Sequence, residues 1–135
     1  MNTLNPRLLL SSALALVLLA LASTAPAVEG LDSRYVTLEP IVVNMQDAER
    51  ARYIQATIQL EGASEEDARA IREHVPAIRD RLIRVLGGHP PEAVRGGENR
   101  EHLRDEALQE IRGMLQELTG DPRITALYFS DFIRQ

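Results

Sequence analysis

Polar and apolar residues alternate most regularly in "RYIQATIQLEG", residues 52–62, where Ile54, Ala56, Ile58 and Leu60 fall on one side and Tyr53, Gln55, Thr57 and Gln59 on the other. A period of two predicts a half-buried antiparallel strand with one polar face. The stretch before it, "YVTLEPIVVN", is rich in β-prone types and predicts a strand near 35–43. Val36, Leu38, Ile41 and Val43 would face inward, with the phase shifting near Pro40. Proline cannot donate to a ladder, so Pro40 predicts an edge position or a bulge. The polar "NMQDAERA" between the two strands reads as the turn of a hairpin.

After Gly62 the period changes. Ala68, Ile71, Val75, Ile78, Leu82 and Val85 recur at spacings of three and four, which predicts a helix near 64–86. Ser64 followed by Asp67 reads as an N-terminal capping pair, and Glu65 and Glu66 suit the positive end of the helix dipole. Pro76 would normally end such a helix. The apolar phase runs through it without a slip, so the expectation is one kinked helix ending at Gly87-Gly88. "HPPEAVRGGEN" is a loop with at most a short helical turn. A second helix near 98–119 carries Leu103, Ala107, Ile111, Met114, Leu115 and Leu118 as its apolar stripe, with Gly120 and Pro122 stopping it.

"RITALYFSDFIRQ" predicts a last strand near 123–133, and apolar residues on both of its faces predict a central position in the sheet. The order strand, strand, helix, helix, strand gives an α+β class, with a small, mainly antiparallel sheet packed against two long helices.

Composition narrows the setting. Leu8 to Ala22 holds no charge over 15 residues and follows Arg7. As a helix this run reaches only ~22 Å at 1.5 Å per residue, against a hydrocarbon core of roughly 30 Å. Ala25-Pro26-Ala27 fits a small-residue cleavage signal, with Ala25 and Ala27 flanking the proline, and Ala20-Leu21-Ala22 fits as well. The expectation is a signal peptide or signal anchor over 1–27 and one exported domain over 28–135. If the leader is cleaved, the domain is free outside the cytoplasm; if it is kept, this segment is the attachment to the membrane.

All 20 acidic residues and 14 of the 15 basic ones follow Ala27, which leaves a formal charge of −6 there. Such a balance argues against nucleic acid as a partner, because binding phosphates needs clustered cations. The chain contains no Cys, so disulfides, thiolate metal sites and cysteine nucleophiles are excluded.

Candidate chemistry is sparse. Glu98 and His102, four apart on one helix face, are the one pair with metal-ligand spacing, on a face otherwise built of Glu, Arg and Asp. "RGGEN" lacks the Lys and the spacing of a phosphate loop and reads as a helix-opening turn. No serine sits in a nucleophile-elbow context. The residues therefore predict no enzyme and no cofactor. Two surface features remain. The first helix carries Arg79, Arg81 and Arg84 in its C-terminal half, either complementing the helix dipole or facing a partner. The polar strand face with Tyr53 and Gln55 is either solvated or the seat of a neighbouring subunit.

Five segments, in order, resemble the flagellar basal-body-associated FliL family. They are "YVTLEPIVVN" at 35–44, "RYIQATIQLEG" at 52–62, "VPAIRDRLIRVLGG" at 75–88, "GENREHLRDEALQEIRGML" at 97–115 and "YFSDFIRQ" at 128–135. The resemblance implies a periplasmic domain of the stomatin (SPFH) type, associated with the inner membrane and the flagellar basal body. It implies a non-enzymatic role in stator function, torque and motility, with stator and basal-body proteins as partners and a ring-forming homo-oligomer as the assembled state. It also implies no cofactor. The seven residues before the apolar run are fewer than the family's usual cytoplasmic tail, which points to a short FliL-like form. The readings that compete with it are an exported metal- or ligand-binding domain using Glu98 and His102, and an adaptor unrelated to flagella.

Overall fold

The computed structural model describes residues 34–46 and 52–134. The leader and its candidate cleavage residues Ala25 and Ala27 lie outside them, as does the connection at 47–51. Among the described residues, no helix is long and apolar enough to cross a membrane.

Four strands form one antiparallel sheet: β1 (Tyr35–Thr37), β2 (Ile41–Met45), β3 (Arg52–Gly62) and β4 (Ile124–Arg134). The alternation in 52–62 survives intact. Ile54, Ala56, Ile58 and Leu60 are buried, and the residues between them are half-buried or exposed. β3 is the central strand. β1 and β2 pair in succession along one of its edges, and β4 pairs along the other.

The opening strand is therefore two strands rather than one. Thr37 lies opposite Gln59 and Ile41 opposite Ala56, so the three residues Leu38 to Pro40 face only two on β3. This is a bulge on an edge strand, the position Pro40 predicts, and it moves the inward phase from Val36 and Leu38 to Ile41 and Val43.

β4 corrects the sequence reading. Among the described strands it pairs with β3 alone and is an edge strand, not a central one. Its pairing slips by one residue at Thr57/Ile58 and again at Glu61/Gly62, which leaves Ser130 and Thr125 as bulged residues. Each hydroxyl donates across the gap: Ser130 Oγ to the Thr57 carbonyl at 3.2 Å, and Thr125 Oγ1 to the Glu61 carbonyl at 3.2 Å. Each bulge reverses the in–out phase, so Ile124, Leu127, Phe129 and Phe132 all turn toward the helices despite their mixed spacing. Apolar residues at both parities are the trace of two bulges, not of burial on both sides.

Three α-helices cover the inner face: α1 (Glu65–Glu73), α2 (Val75–Gly87) and α3 (Gly97–Thr119), with a 3-10 turn at Pro91–Val94. Ser64 caps α1 as its spacing predicts, its Oγ accepting from the Asp67 amide at 3.1 Å and donating to the Asp67 carboxylate at 2.8 Å. The single kinked helix is in fact two, separated at His74 (φ −107°, ψ 12°). Proline is tolerated in the first turn of a helix, where its missing N–H would have no partner. The chain gives up one helical residue and starts α2 at Val75, so that Pro76 occupies that turn. The buried stripe of Ala68, Ile71, Ile78, Leu82 and Leu86 still runs through the break.

α3 ends at Gly120, which takes the left-handed conformation (φ 86°) and donates its amide to the Gln116 carbonyl at 3.0 Å. Leu118, expected in the stripe, sits in the last turn of α3 and is 53% exposed. α1 packs on β1 and β3, α2 on β2, and α3 on β4 and α2. The core lies between these two layers, and no polar or charged residue is buried among the described residues.

Candidate functional site

Among the described residues, no helix packs on the outer face of the sheet. Tyr53, Gln55, Thr57 and Gln59 point there from β3, because the alternate positions are in the core. Across the strands, Asn44 lies opposite Tyr53, and Gln55 sits between Val42 on one side and Ile133 on the other. Val42 is 59% exposed, Tyr53 40% and Ile133 41%, so three large apolar side chains surround Gln55 in solvent. Among the described residues that pair with Tyr53, Gln55, Thr57 and Gln59, Asp131 is the one charged residue, in a chain where 26% of residues are charged. At the Glu61 end, the Tyr128 hydroxyl donates to the Glu61 carboxylate at 2.8 Å. That bond, then partial burial and the negative charge of Glu61, raise the phenol above its ordinary range.

The arginines lie on the opposite side, in the helix layer. Arg79 donates to the carbonyls of Glu39 and Pro40 and so grips the bulge between β1 and β2. Arg72, one helix earlier, donates to the Tyr35 carbonyl at 3.1 Å. Arg81 reaches across to Glu110 on α3 at 2.9 Å. Arg84 pairs with Asp80 one turn back at 3.0 Å, and both side chains are mostly exposed (74% and 63%). Of the three arginines singled out by the sequence, Arg79 and Arg81 tie elements of the domain together and Arg84 is presented to solvent. Tyr53 and Gln55 are close to each other, and the helical arginines form no joint site with them. The sequence shows which residues are arginine; it does not show that a strand carbonyl from residue 39 comes under a guanidinium on residue 79.

Glu98 and His102 are exposed on α3. Among the described residues, no group of three or more His, Asp or Glu side chains is placed to hold a metal ion. His102 lines a small cleft with His89, Asn99 and Glu106, and there His89 Nε2 lies 2.8 Å from the Glu106 carboxylate.

A larger groove, of about 260 Å³, lies between the first turns of α3 and β4. Gly97, Arg100, Glu101 and Arg104 line one side, and Tyr128, Phe129 and Phe132 line the other. Sequence reasoning missed it, because the bulge at Ser130 is what turns Phe129 and Phe132 to the same side, and pattern alone does not reveal a bulge.

With this geometry in hand, the relatives of the chain can be set beside it. A family model described as "Flagellar basal body-associated protein FliL" matches residues 35–135, from the start of β1 onward. The "Flagellar protein FliL" of Aquifex aeolicus (strain VF5) is 32% identical over 96 residues, covering 71% of this chain. The match takes in 57% of that relative's length, a little over half of it.

Proposed function

Since the chain belongs to the FliL family of flagellar basal-body-associated proteins, we propose that it acts at the motor as a non-enzymatic part, through protein contacts. In this reading, residues 1–27 direct export and residues 28–135 work in the periplasm beside the inner membrane, as a domain of the stomatin (SPFH) type. It supports stator function, torque and motility while assembled with stator and basal-body proteins and with further copies of itself.

The observation that carries the assembly is the outer sheet face around Gln55, with Val42, Tyr53 and Ile133 in solvent and little charge near them. Copies that are each strongly acidic repel one another, and a sparsely charged face is where they can meet with the fewest like charges brought together. A ring needs two different surfaces that meet head to tail. The helix layer around the exposed Arg84 supplies the second surface, on the opposite side of the domain.

Motility in a deletion strain tests the motor role, with the same culture fractionated and the mature N-terminus sequenced. Reduced swimming with normal filaments is expected, and unchanged motility under load would remove it. Light scattering tests the assembly: Tyr53→Glu with Gln55→Glu, and separately Arg84→Glu, should each reduce the oligomer while leaving the circular dichroism spectrum unchanged. An oligomer of unaltered mass in both variants would sink the two-surface reading and leave the motor role standing.

A further inference from the structure

We infer that the groove between α3 and β4 is a docking site for an extended segment of a protein partner, one in which carboxylates alternate with large apolar side chains. This rests on the groove and does not depend on the assembly described above. Phe129 and Phe132 form its floor, with ring centroids 4.6 Å apart and planes tilted by 51°. Both are only half-buried, so an apolar surface stays open to solvent between a helix and a strand.

The rim is cationic. Arg100 and Arg104 stand one turn apart along α3 and line the groove together. Arg100 gives its Nε to the Gly96 carbonyl at 3.2 Å and has no carboxylate partner among the described residues. Arg104 pairs with its neighbour Asp105 at 3.1 Å, an exposed contact that exchanges easily for another carboxylate. Among the described residues, Glu101 is the one acid lining the groove. At the end of the groove, Gly97 leaves open space, since a Cβ there would have nothing within 4 Å.

The wall opposite the helix explains why the occupant is a peptide. β4 pairs with β3 alone among the described strands, so the backbone of Tyr128 and Phe129, in the regular stretch between its two bulges, borders the groove without a strand partner. An unpaired strand edge is recognised by another backbone, and an added strand presents alternate side chains to opposite sides. In that arrangement the set turned to the helix side crosses Phe129 and Phe132 and brings carboxylates to Arg100 and Arg104, and the apolar set lies over Tyr128 on the outer side of β4. A second copy suits the site less well, because β4 pairing with β4 would gather the arginine pairs of both copies at one junction. The other edge of the sheet offers no equivalent, since Pro40, a bulge and the grip of Arg72 and Arg79 occupy it.

The test is fluorescence anisotropy with the purified full chain and a labelled nine-residue peptide alternating Glu with Leu. Its counterpart has Lys in place of Glu. The acidic peptide should bind and the basic one should not. Arg100→Glu with Arg104→Glu should weaken binding by about tenfold or more, as for removal of complementary charge at an interface. Gly97→Leu, which fills the open end without reversing a charge, should weaken it as well. Failure of the acidic peptide to bind would overturn the inference. So would equal binding of both peptides, or retention of affinity in both variants. In an amide chemical-shift map of the bound state, movement confined to Asn44, Gln55 and Ile133 would reassign the contact to the outer sheet face and refute the groove.

Discussion

Replacing glycine by alanine at two positions should move stability in opposite directions. Gly62 ends β3 under the first turn of α1. A Cβ built there would lie 2.7 Å from the Ala68 amide nitrogen and 3.0 Å from the Ser64 carbonyl oxygen. Those two atoms are partners in a 3.0 Å hydrogen bond at the start of α1, so the added carbon lands on backbone, not on a side chain that can swing away. Ordinary contact begins near 3.4 Å, so α1 has to retreat by about 0.7 Å, and with it Ala68 and Ile71, both fully buried.

Overpacking of this kind costs roughly 1–3 kcal/mol, and the restriction of the unfolded chain by alanine returns about 0.4–1 kcal/mol. The expected net loss for Gly62→Ala is about 1.3 kcal/mol, or roughly 5–10 °C in Tm for a domain of this size. Gly113 lies inside α3, is exposed, and has nothing within 4 Å of a built Cβ. Neither glycine has a positive φ. Gly113→Ala should therefore add about 1 kcal/mol, the difference between Gly and Ala in a helix interior. Urea melts followed by far-ultraviolet circular dichroism measure both. A Gly62→Ala protein within about 0.5 kcal/mol of the parent, the range of neutral surface changes, would show that the approach of α1 to β3 is not firm. The reasoning would then fail at its first step.

Arg79→Ala should lower the urea midpoint by the equivalent of about 1–2 kcal/mol, because two carbonyls of the β1–β2 bulge lose a charged donor; an unchanged midpoint would show that the grip is idle. Leu82 and Ile83 are neighbours with opposite burial, 0% and 41% exposed. Leu82→Ala should cost about 2–5 kcal/mol, whereas Ile83→Ala should stay within about 0.5 kcal/mol; similar losses at both positions would contradict the register of α2. Tyr128 should ionise above the ordinary tyrosine range in an ultraviolet absorbance titration, and Tyr128→Phe should remove that late component. Because its pKa is raised on folding, the stability contributed by the bond to Glu61 is fully present below the ordinary tyrosine pKa of about 10 and is lost as pH rises through the raised value. A titration that Tyr128→Phe leaves unchanged at its alkaline end would rule the bond out.

How far the fold could be read from the chain varies by element, for physical reasons. β3 is legible because it carries the ladder on both sides without an insertion, so its period of two is the period of its burial. α1 and α2 are legible in their buried face but not in their break. Interruption at the single residue His74 leaves the stripe from Ala68 to Leu86 in phase, so the pattern carries no trace of it. β4 misleads, because the residues that reverse its phase, Thr125 and Ser130, look like ordinary outward positions, and each is accommodated by a hydroxyl bond to the strand beside it. Tyr53 and Gln55 could be placed on a common face from their parity alone. Arg79 could not be assigned its role, since its partners are backbone carbonyls about forty residues away in sequence. The groove at Phe129 and Phe132 combines both difficulties, because it needs the bulge and the position of α3 together.

The placement of β3 between β1/β2 and β4 has a mechanical consequence. Tyr35 lies opposite Glu61 and Arg134 opposite Ile54, so the first and last strands run in the same direction on either side of β3 and meet its opposite ends. Tension applied through residues 35 and 134 drags the outer strands lengthwise along β3 and loads the ladders in shear, with many hydrogen bonds strained at once. Tension through residues 35 and 62 peels β1 away one pair at a time, because the Gly62 amide already sits 2.8 Å from the Arg34 carbonyl. In single-molecule pulling, the first geometry should give way at clearly higher force than the second, and equal rupture forces would contradict the sheet order. The domain is built to hold along one axis and to open along another.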